Sequence, residues 1–560
     1  MLSNEIPFRS VKRIIAMGII FILICLSLFF RLFYIQVIKN NDYSKKAVQQ
    51  RLVTIPIEIE RGDIYDRNMI PFTSRKIKKY IIVYPSYVQD NNVVASVISR
   101  LCNINEEKVL EQIKSNADTL EFVYKGENNS LLRLIVEGKI KGLTVIEKKN
   151  RYSEDSIGRH VIGYISKSDK KGVMGIERSM DNYLSYASGK SIIAVVDSSK
   201  NIIPGLGFRK VETNKNGLNY GVKLTLDYHI QSAVEKVMKE NNVNGAIVVI
   251  DIKTGEILAM ASHPDYEQDN VKDYINSSGE ELINKAIWPY DLGSIFKIVV
   301  AASAIESGKI DLNKKYKCEG SIVVGNNTIN CSTYDSHKDK EITIDEAFAL
   351  SCNTTFVKIG MELGADSILN MARKLGLGEK QCFELIEEKT GYIPKSDEDG
   401  IGNISIGQGK IQVTPLQVTS MMATIANNGI KNSCRLVDEL INENGGTIKK
   451  IERSNPQIVL SPSTAYRLKN MLREVTLYGT GTQADISEKY GGSSGKTGTA
   501  ETGMDNGRII HAWFTGYIPS KDPEYAITVF INNGKSGGKT AAPIFRKVAE
   551  SIIEIRKSIE

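Results

Sequence analysis

Long apolar runs are scarce in this 560-residue chain, and only one, near the N-terminus, reaches the length of a membrane span. Cysteine is scarce too: seven residues in a chain of this length do not form the disulfide framework of a small secreted domain. The sequence has no internal repeat, no low-complexity segment and no basic stripe interleaved with aromatics. Its net charge of +7 comes from interleaved acidic and basic residues, which argues against nucleic acid as a partner.

The single long apolar run predicts a membrane anchor. Ile14–Phe30 carries no charge, and the run extends to residue 38 if Arg31 snorkels to the interface. Three basic residues precede it, which keeps the N-terminus cytoplasmic by the positive-inside rule: Arg9, Lys12 and Arg13. A cleaved signal peptide is the alternative, but no small-x-small cleavage site follows before Tyr43. We therefore predict a cytoplasmic tail at 1–13, a single-pass anchor at 14–38 and an extracytoplasmic remainder.

The remainder divides into two parts by sequence character. Residues 39–225 mix short β-like runs with charged helical stretches, such as a helix around Glu106–Ile113, and show no catalytic constellation. Residues 226–560 predict one large domain. Asp227 is a candidate N-cap, and the two apolar runs around Gly255 predict a β-hairpin. Further β runs near the C-terminus predict an α/β (α+β) domain whose sheet is formed from both ends of this part of the sequence.

Three short signatures characterise serine enzymes that act on penicillin: S-x-x-K, S-x-N and K-T-G. Each signature is short enough to occur by chance, and the chain has several copies of each. The sequence around a copy must therefore show whether it belongs to an active site. Ser168, Ser493 and Ser536 also begin S-x-x-K, Ser199 begins a second S-x-N, and Lys253 and Lys389 begin further K-T-G copies. Ser168 and Ser536 lie in polar turn sequences, which argues against a buried catalytic role for either.

Ser294 has the best context for a nucleophile. It follows Gly293 and opens an apolar helical stretch that ends at Gly308. Lys297, three residues later, shares its face of the helix, so the amine is within reach of the hydroxyl. The apolar neighbours are expected to desolvate Lys297, lower its pKa and make a neutral amine available as a base.

The other two signatures have equally specific contexts. Ser351 and Asn353 lie between two helical stretches, where a loop directs both side chains inward and Cys352 back into the core. Lys496 opens a strand with Thr497, Gly498 and Thr499, where small residues allow an extended substrate to approach a strand edge. The three signatures occur in this order within one predicted domain.

The sequence resembles the class B, monofunctional penicillin-binding proteins over essentially its whole length. The resemblance rests on the three signatures and on further segments: Arg61–Asn68, His160–Ile165, Gly175–Glu177, Thr254–Pro264, Gly407–Gly409, Thr414–Gln417 and Trp513–Pro519. It implies a dimerisation-type pedestal at 39–225, and at 226–560 a transpeptidase domain with a sheet covered by helices. Relatives usually carry Pro-Gly before the serine, whereas this chain has Leu292-Gly293.

The resemblance also implies a mechanism. Ser294 attacks the carbonyl between the two terminal D-alanines of a peptidoglycan stem peptide, and Lys297 accepts its proton. Ser351 relays that proton to the leaving D-alanine, and Asn353 orients the peptide. Lys496 supplies positive charge, Thr497 and Thr499 hold the substrate carboxylate beside Gly498, and the N–H groups of Ser294 and Thr499 form an oxyanion hole. No cofactor is implied, β-lactams acylate Ser294, and a polytopic membrane glycan polymerase is the implied protein partner.

Other functions use similar residues. A class A β-lactamase adds a glutamate that activates water, and no Glu-x-x-x-Asn lies between Ser351 and Lys496. A D,D-carboxypeptidase differs only in using water as the acceptor, which the sequence leaves open. A β-lactam sensor would need further spans, and a wall-synthesis scaffold would not need every motif residue intact.

Four potential metal ligands lie close together in the sequence: Cys318, Cys331, His337 and Cys352. Three thiols and an imidazole are ligands that zinc prefers. Their spacing matches no standard zinc motif, so a Cys318–Cys331 disulfide and small buried thiols stay open as alternatives.

Overall fold

The computed structural model describes residues 8–59, 61–115, 119–126, 129–185, 189–195, 208–213, 220–442, 444–501 and 509–559. Part of the predicted tail at 1–13 and the S-x-N copy at Ser199 lie outside these residues. The chain forms two compact units, each built from separate stretches. The first contains 1–60, 78–148 and 188–215, and the second contains 61–77, 149–187 and 216–560. The predicted division at residues 38 and 225 stays a prediction.

The N-terminal helix fits the predicted anchor. It runs from Phe8 to Phe33 and continues as a π-helical turn over Tyr34–Ile38. Lys12–Ile38 is long and apolar enough to cross a membrane, and within the described chain no other helix passes that test. None of its most apolar window is buried by the protein, as expected for a helix whose side chains face lipid. A polar helix, Asn40–Arg51, follows it.

The first unit contains two small sheets. One is antiparallel, with strands in the order Leu52–Ile59, Gly189–Val195 and Phe208–Thr213. The other has the order Leu120–Val123, Lys76–Val83 and Leu143–Asn150. Three helices pack on this second sheet around a core that includes Ile81, Ile98 and Phe122: Asn91–Cys102, Glu106–Lys114 and Asn129–Val136. The predicted helix around Glu106–Ile113 is therefore confirmed.

A five-stranded antiparallel sheet forms the centre of the second unit. Its strand order is Ile257–His263, Gly245–Asp251, Tyr525–Ile531, Ile510–Ile518 and Ser494–Glu501. Strands from both ends of the domain sequence thus lie side by side, as predicted. The hairpin turn at Gly255 is also confirmed, with φ of +75° in the left-handed region that favours glycine. Ser494–Glu501 is the edge strand, with Ile510–Ile518 as its one neighbour among the described strands.

Helices cover both faces of this sheet, and alternate side chains of its strands pack into two different hydrophobic cores. Ile247 and Val249 pack against helices Tyr228–Glu240 and Ala542–Ile559. Val248, on the opposite face, belongs to the larger core beneath a set of helices: Lys297–Ser307, Ile344–Ala349, Asn353–Leu363, Ala365–Lys374, Ile401–Ile406, Pro415–Ala426 and Pro462–Leu477. The predicted N-cap is confirmed, since the Asp227 carboxylate accepts the N–H groups of His229 and Ile230.

A second sheet of this unit has the order Thr447–Lys450, Val437–Ile441, Gly221–Leu224 and Ile64–Tyr65. The remaining short strands pair as Tyr290–Asp291 with Gln412–Val413, Tyr316–Lys317 with Glu341–Ile342, Ser321–Val324 with Asn327–Asn330, and Ile430–Lys431 with Gln457–Ile458. Three short helices lie at Arg159–Ile162, Gly175–Ser179 and Asp181–Leu184.

Two of the sequence segments that carry the family resemblance meet at a buried carboxylate. Glu177 accepts hydrogen bonds from Arg61 Nε at 2.6 Å, Arg151 Nε at 2.7 Å and the Tyr152 hydroxyl at 2.9 Å. Burial by itself would raise the pKa of Glu177, but the two guanidinium groups outweigh it and lower that pKa below its ordinary value. Removing one partner of such a buried pair would leave an uncompensated charge, so the pairing joins Arg61–Asn68 to Gly175–Glu177.

Candidate active site

Ser294 lies in a single tight turn at the start of a buried helix. Gly293–Phe296 forms a 3₁₀ turn, and the α-helix itself runs from Lys297 to Ser307, with Gly308 ending it at φ of +62°. The sequence predicted one continuous α-helix from Ser294, so the tighter first turn is a difference. In a 3₁₀ turn, residues i and i+3 are eclipsed, which places Ser294 and Lys297 on the same side.

Two close backbone approaches hold this turn, the Ser294 turn, in place. The Gly293 N–H donates to the Gly407 carbonyl at 3.0 Å. A Cβ on Gly293 would lie 2.3 Å from the Thr499 carbonyl oxygen, and one on Gly407 would lie 2.2 Å from the Gly293 carbonyl oxygen. No side chain fits at these distances. The turn is therefore fixed between Gly407 and the edge strand Ser494–Glu501.

The amine of Lys297 joins the first two predicted signatures directly. Its Nζ donates to the Ser351 carbonyl at 2.7 Å, to Ser351 Oγ at 3.1 Å and to Asn353 Oδ1 at 2.6 Å. The side chain of Lys297 is fully buried, and this burial lowers its pKa to about 8. Near neutral pH the amine therefore gives up its proton far more readily than a solvated lysine does.

The loop that carries the S-x-N signature has an unusual backbone. Ser351 has φ of +57°, a left-handed conformation that a residue with a Cβ adopts only when its surroundings hold it. It lies between helices Ile344–Ala349 and Asn353–Leu363, and its side chain is buried. Asn353 is held from the other side, because its Nδ2 donates to the Asn330 carbonyl at 2.8 Å. Cys352 is fully buried and points back into the core, as predicted.

Lys496, from the third signature, also lies near the Lys297 amine. Its side chain is fully buried in the edge strand, with Nζ 5.6 Å from the centre of the Phe348 ring. Burial first, and then the positive charge of Lys297, lowers the pKa of Lys496 well below its ordinary value. The two amines are therefore close enough to oppose each other's protonation. The structure thus brings Ser294, Lys297, Ser351, Asn353 and the Lys496 strand together, and their chemical roles stay predictions.

The threonines of the edge strand contact residues that the sequence reasoning did not select. Thr497 Oγ1 lies 2.6 Å from Thr480 Oγ1, and Thr499 Oγ1 accepts the Gly537 N–H at 3.2 Å. Gly498, between them, has no room for a side chain, because a Cβ would lie 2.8 Å from Ile295 Cγ1. Nothing in the local sequence indicates a functional role for Thr480 or Gly537. Gly407 belongs to one of the segments that carry the family resemblance, but the sequence predicts no role for it.

The competing motif copies that the structure describes lie in other surroundings. Ser168 is exposed and lies 2.8 Å from the Ser166 hydroxyl within a turn, while Lys253 and Lys389 are exposed. Ser536 accepts the Lys539 N–H at 3.4 Å and so caps a turn. Ser493 is buried and donates to the Ala484 carbonyl.

The four potential metal ligands also meet. One ligand atom from each of Cys318, Cys331, His337 and Cys352 lies within 4.8 Å of the other three, and all four residues are buried. No cysteine among the described residues forms a disulfide, including the Cys318–Cys331 pair that the sequence left open.

Comparison with known proteins matches both parts of the chain. Residues 245–550 match the penicillin-binding protein transpeptidase domain, and residues 56–217 match the penicillin-binding protein dimerisation domain. Stage V sporulation protein D of Bacillus subtilis is 28% identical over 95% of this chain and 84% of its own length. Peptidoglycan D,D-transpeptidase FtsI of Buchnera aphidicola is 26% identical over 99% of this chain and 98% of its own length.

A solved structure agrees with the sequence relatives. One chain, from a study of how a peptidoglycan synthase complex coordinates polymerization and crosslinking, superposes with a TM-score of 0.71 and 26% identity. The match covers 97% of this chain and 98% of that one. With both domain models matched and the fold shared along its length, the chain belongs to the class B penicillin-binding proteins, the D,D-transpeptidase family of peptidoglycan synthesis.

Proposed function

We propose that this protein cross-links peptidoglycan stem peptides through an acyl-serine intermediate on Ser294. The observation that carries the proposal is the fully buried Lys297 amine, bonded to Ser351 and Asn353 one tight turn from Ser294. A base needs to be near the proton that it removes and to have a pKa near the working pH. Burial gives Lys297 the second property, and the eclipsed 3₁₀ turn gives it the first.

The first half-reaction follows from this arrangement. Ser294 Oγ attacks the carbonyl carbon between the two terminal D-alanines while Lys297 Nζ takes the hydroxyl proton. The C–N bond then breaks, and the proton passes through Ser351 Oγ to the departing D-alanine amine. Asn353, fixed between Lys297 and the Asn330 carbonyl, orients the substrate amide. The product is an ester on Ser294 and free D-alanine.

The edge strand binds the substrate and stabilises charge. Thr497 and Thr499 hold the terminal carboxylate beside the charge of Lys496, and Gly498 permits the close approach. The N–H groups of Ser294 and Thr499 bind the developing oxyanion, a contribution worth about 3–4 kcal/mol per donor. A substrate carboxylate also favours protonated Lys496. Because the two lysines oppose each other's protonation, a bound substrate then keeps Lys297 neutral.

In the second half-reaction an amine from a neighbouring stem attacks the ester, forms the new amide bond and returns the proton to Ser294. A β-lactam enters by the first step and leaves Ser294 acylated. Water as the acceptor would make the protein a D,D-carboxypeptidase, and fast hydrolysis of the penicilloyl ester would make it β-lactamase-like. A non-catalytic wall-synthesis scaffold would not be acylated at all.

The anchor places this chemistry outside the cytoplasm. In this proposal the anchor at 14–38 crosses the membrane once with its N-terminus inside, which puts the transpeptidase domain on the cell-wall side. The apolar helix Lys12–Ile38, long enough for such a span, supports it. A polytopic glycan polymerase is the proposed partner, engaged through the anchor and the 39–225 pedestal. The likeness to a chain studied in a peptidoglycan synthase complex supports this partner.

Fluorescent-penicillin labelling of the full-length protein in membranes tests the nucleophile. The wild type is expected to form a stable covalent adduct, and Ser294→Ala none, because the variant lacks the proposed nucleophile. Ser168→Ala, in the exposed S-x-x-K copy, is the matched control and is expected to label normally. An unlabelled wild type would refute acyl-enzyme formation, and rapid loss of the label would favour the β-lactamase alternative.

Lys297→Met tests the base. Met fills a similar volume but accepts no proton, so the second-order acylation rate is expected to fall about 10²–10⁴-fold, the usual contribution of a general base. Lys253→Met, in an exposed K-T-G copy, is expected to leave the rate unchanged. Acylation of Lys297→Met at the wild-type rate, measured by stopped-flow penicillin binding, would rule Lys297 out as the base.

Gly407→Ala tests whether the Ser294 turn depends on its neighbours. The new Cβ would lie 2.2 Å from the Gly293 carbonyl oxygen, so we expect the turn to shift and acylation to slow at least tenfold, a cost of about 1.4 kcal/mol in the barrier. Gly308→Ala is the matched control, because Gly308 has a similar positive φ but nothing within 4 Å of the added Cβ. Equal acylation rates for the two variants would contradict the proposed support.

Replacement of residues 14–38 with an unrelated span tests the partner contact. The chimera is expected to label with penicillin like the wild type, because the active site lies in the other compact unit, yet to impair wall synthesis in a strain that depends on this protein. A chain in which the native span has been reinserted at the same junctions serves as the control. Full complementation by the chimera would remove the anchor from the proposed contact.

A further inference from the structure

We infer that Thr480 is a positioning residue of the substrate-carboxylate site. Its hydroxyl donates a hydrogen bond to Thr497 Oγ1 and so directs the one hydrogen of the Thr497 hydroxyl to the bound carboxylate. The inference rests on the proposed function, and it adds a residue that lies outside the three signatures.

Residues from outside the edge strand contact both threonine hydroxyls of the K-T-G-T segment. Thr497 Oγ1 lies 2.6 Å from Thr480 Oγ1, and Thr499 Oγ1 accepts the Gly537 N–H at 3.2 Å. Thr497 and Thr499 are two residues apart in a strand, so their side chains lie on the same face. Each hydroxyl on this face therefore already has one hydrogen-bond partner within the protein.

The chemistry of a hydroxyl decides what these partners do. A threonine hydroxyl has one hydrogen to donate and two acceptor positions, whereas an ionised carboxylate only accepts. A threonine can therefore bind a carboxylate only by donating its single hydrogen. Thr499 accepts from Gly537 and so keeps its hydrogen for the ligand.

Thr497 keeps its hydrogen for the ligand only if Thr480 is the donor of the pair. If Thr497 donated to Thr480, it would turn an acceptor toward the carboxylate, and two acceptors repel. A bound carboxylate therefore selects one direction of hydrogen bonding, from Thr480 to Thr497 to the ligand. In such a chain each bond polarises the next, and the last one is strengthened by the charge of the ligand.

Thr480 is held in place by contacts that do not involve Thr497. Its N–H donates to the Ala349 carbonyl at 3.1 Å. Gly479 and Gly538 permit close backbone approaches, because added Cβ atoms would lie 2.3 Å from the Ala349 oxygen and 2.7 Å from the Thr480 oxygen, respectively. The Thr480 hydroxyl is therefore positioned before a substrate arrives, which lowers the entropy lost on binding.

A structural pairing of two threonines is the alternative, and the same sheet contains one. Thr515 and Thr528 face each other on neighbouring strands with their Oγ1 atoms 2.8 Å apart, and both are fully buried, so no ligand reaches them. The Thr480 pair differs, because it lies at the edge strand and both Thr480 and Thr499 are partly exposed. A substrate carboxylate can approach here.

Selectivity for a carboxylate tests the inference in the detergent-solubilised full-length protein. Benzylpenicillin and its methyl ester are compared by the second-order rate of acylation, measured in competition with a fluorescent penicillin. Thr480→Val keeps the side-chain shape but removes the donor, so the ratio of the acid rate to the ester rate is expected to fall about tenfold, as for the loss of one hydrogen bond that supports a charged group. Thr480→Ser restores the donor and is expected to keep the wild-type ratio.

Thr482→Val is the matched control, because it removes an exposed hydroxyl two residues away, and its ratio is expected to be that of the wild type. A wild-type ratio in Thr480→Val would overturn the inference. An equal loss for acid and ester would also overturn it, because that result indicates a structural role alone. A wild type that neither compound acylates would refute the proposed function itself, together with this inference.

A double-mutant cycle tests whether Thr480 acts through Thr497. Thr497→Val removes the hydroxyl that Thr480 is inferred to orient, so adding Thr480→Val to it is expected to cause no further fall in the ratio. Independent losses that multiply in the double variant would contradict the chain from Thr480 to Thr497. Thermal unfolding of each variant shows whether it is folded at the assay temperature.

Discussion

The buried amine of Lys297 is the constraint on which the active site depends. A lysine removed from water must find acceptors, and this one finds three, all from the loop that carries Ser351 and Asn353. The same burial lowers its pKa to about 8. The position of the Lys297 amine and its lowered pKa therefore have a single cause. The apolar surroundings that exclude water from the amine also leave it only the loop as a hydrogen-bond partner.

Three glycines allow the edge strand and the Ser294 turn to approach each other closely. Gly293 lies against the Thr499 carbonyl, Gly498 against Ile295, and Gly407 against Gly293. Because glycine has no side chain, the Ser294 turn, the edge strand and the backbone at Gly407 can contact one another directly. Such contacts tolerate little displacement, because an added carbon would collide with a backbone oxygen at Gly293 and Gly407 and with the buried Ile295 side chain at Gly498.

Much of this arrangement could be predicted from the sequence, because its signals are local. A few neighbouring residues are enough to predict the Asp227 cap, the Gly255 hairpin and the helix that ends at Gly308. Ser294 and Lys297 share a face by spacing alone. Thr480 and Gly537 could not be predicted, because they reach Thr497 and Thr499 only through the sheet, from segments without a chemical pattern. The 3₁₀ start of the Ser294 helix likewise contacts the distant Gly407, whose carbonyl accepts the Gly293 N–H.

The left-handed backbone at Ser351 presents both its carbonyl and its hydroxyl to the Lys297 amine. Such a conformation costs of order 1–3 kcal/mol in a residue with a Cβ and persists only where the surroundings determine it. Helices on both sides hold the loop, but the Asn330 side is a thin hairpin with one buried residue. On that side Ile329 packs with Val357 and Ile406, and the Asn330 carbonyl accepts the Asn353 amide. The loop that bonds Lys297 is therefore held both by its flanking helices and by the hairpin.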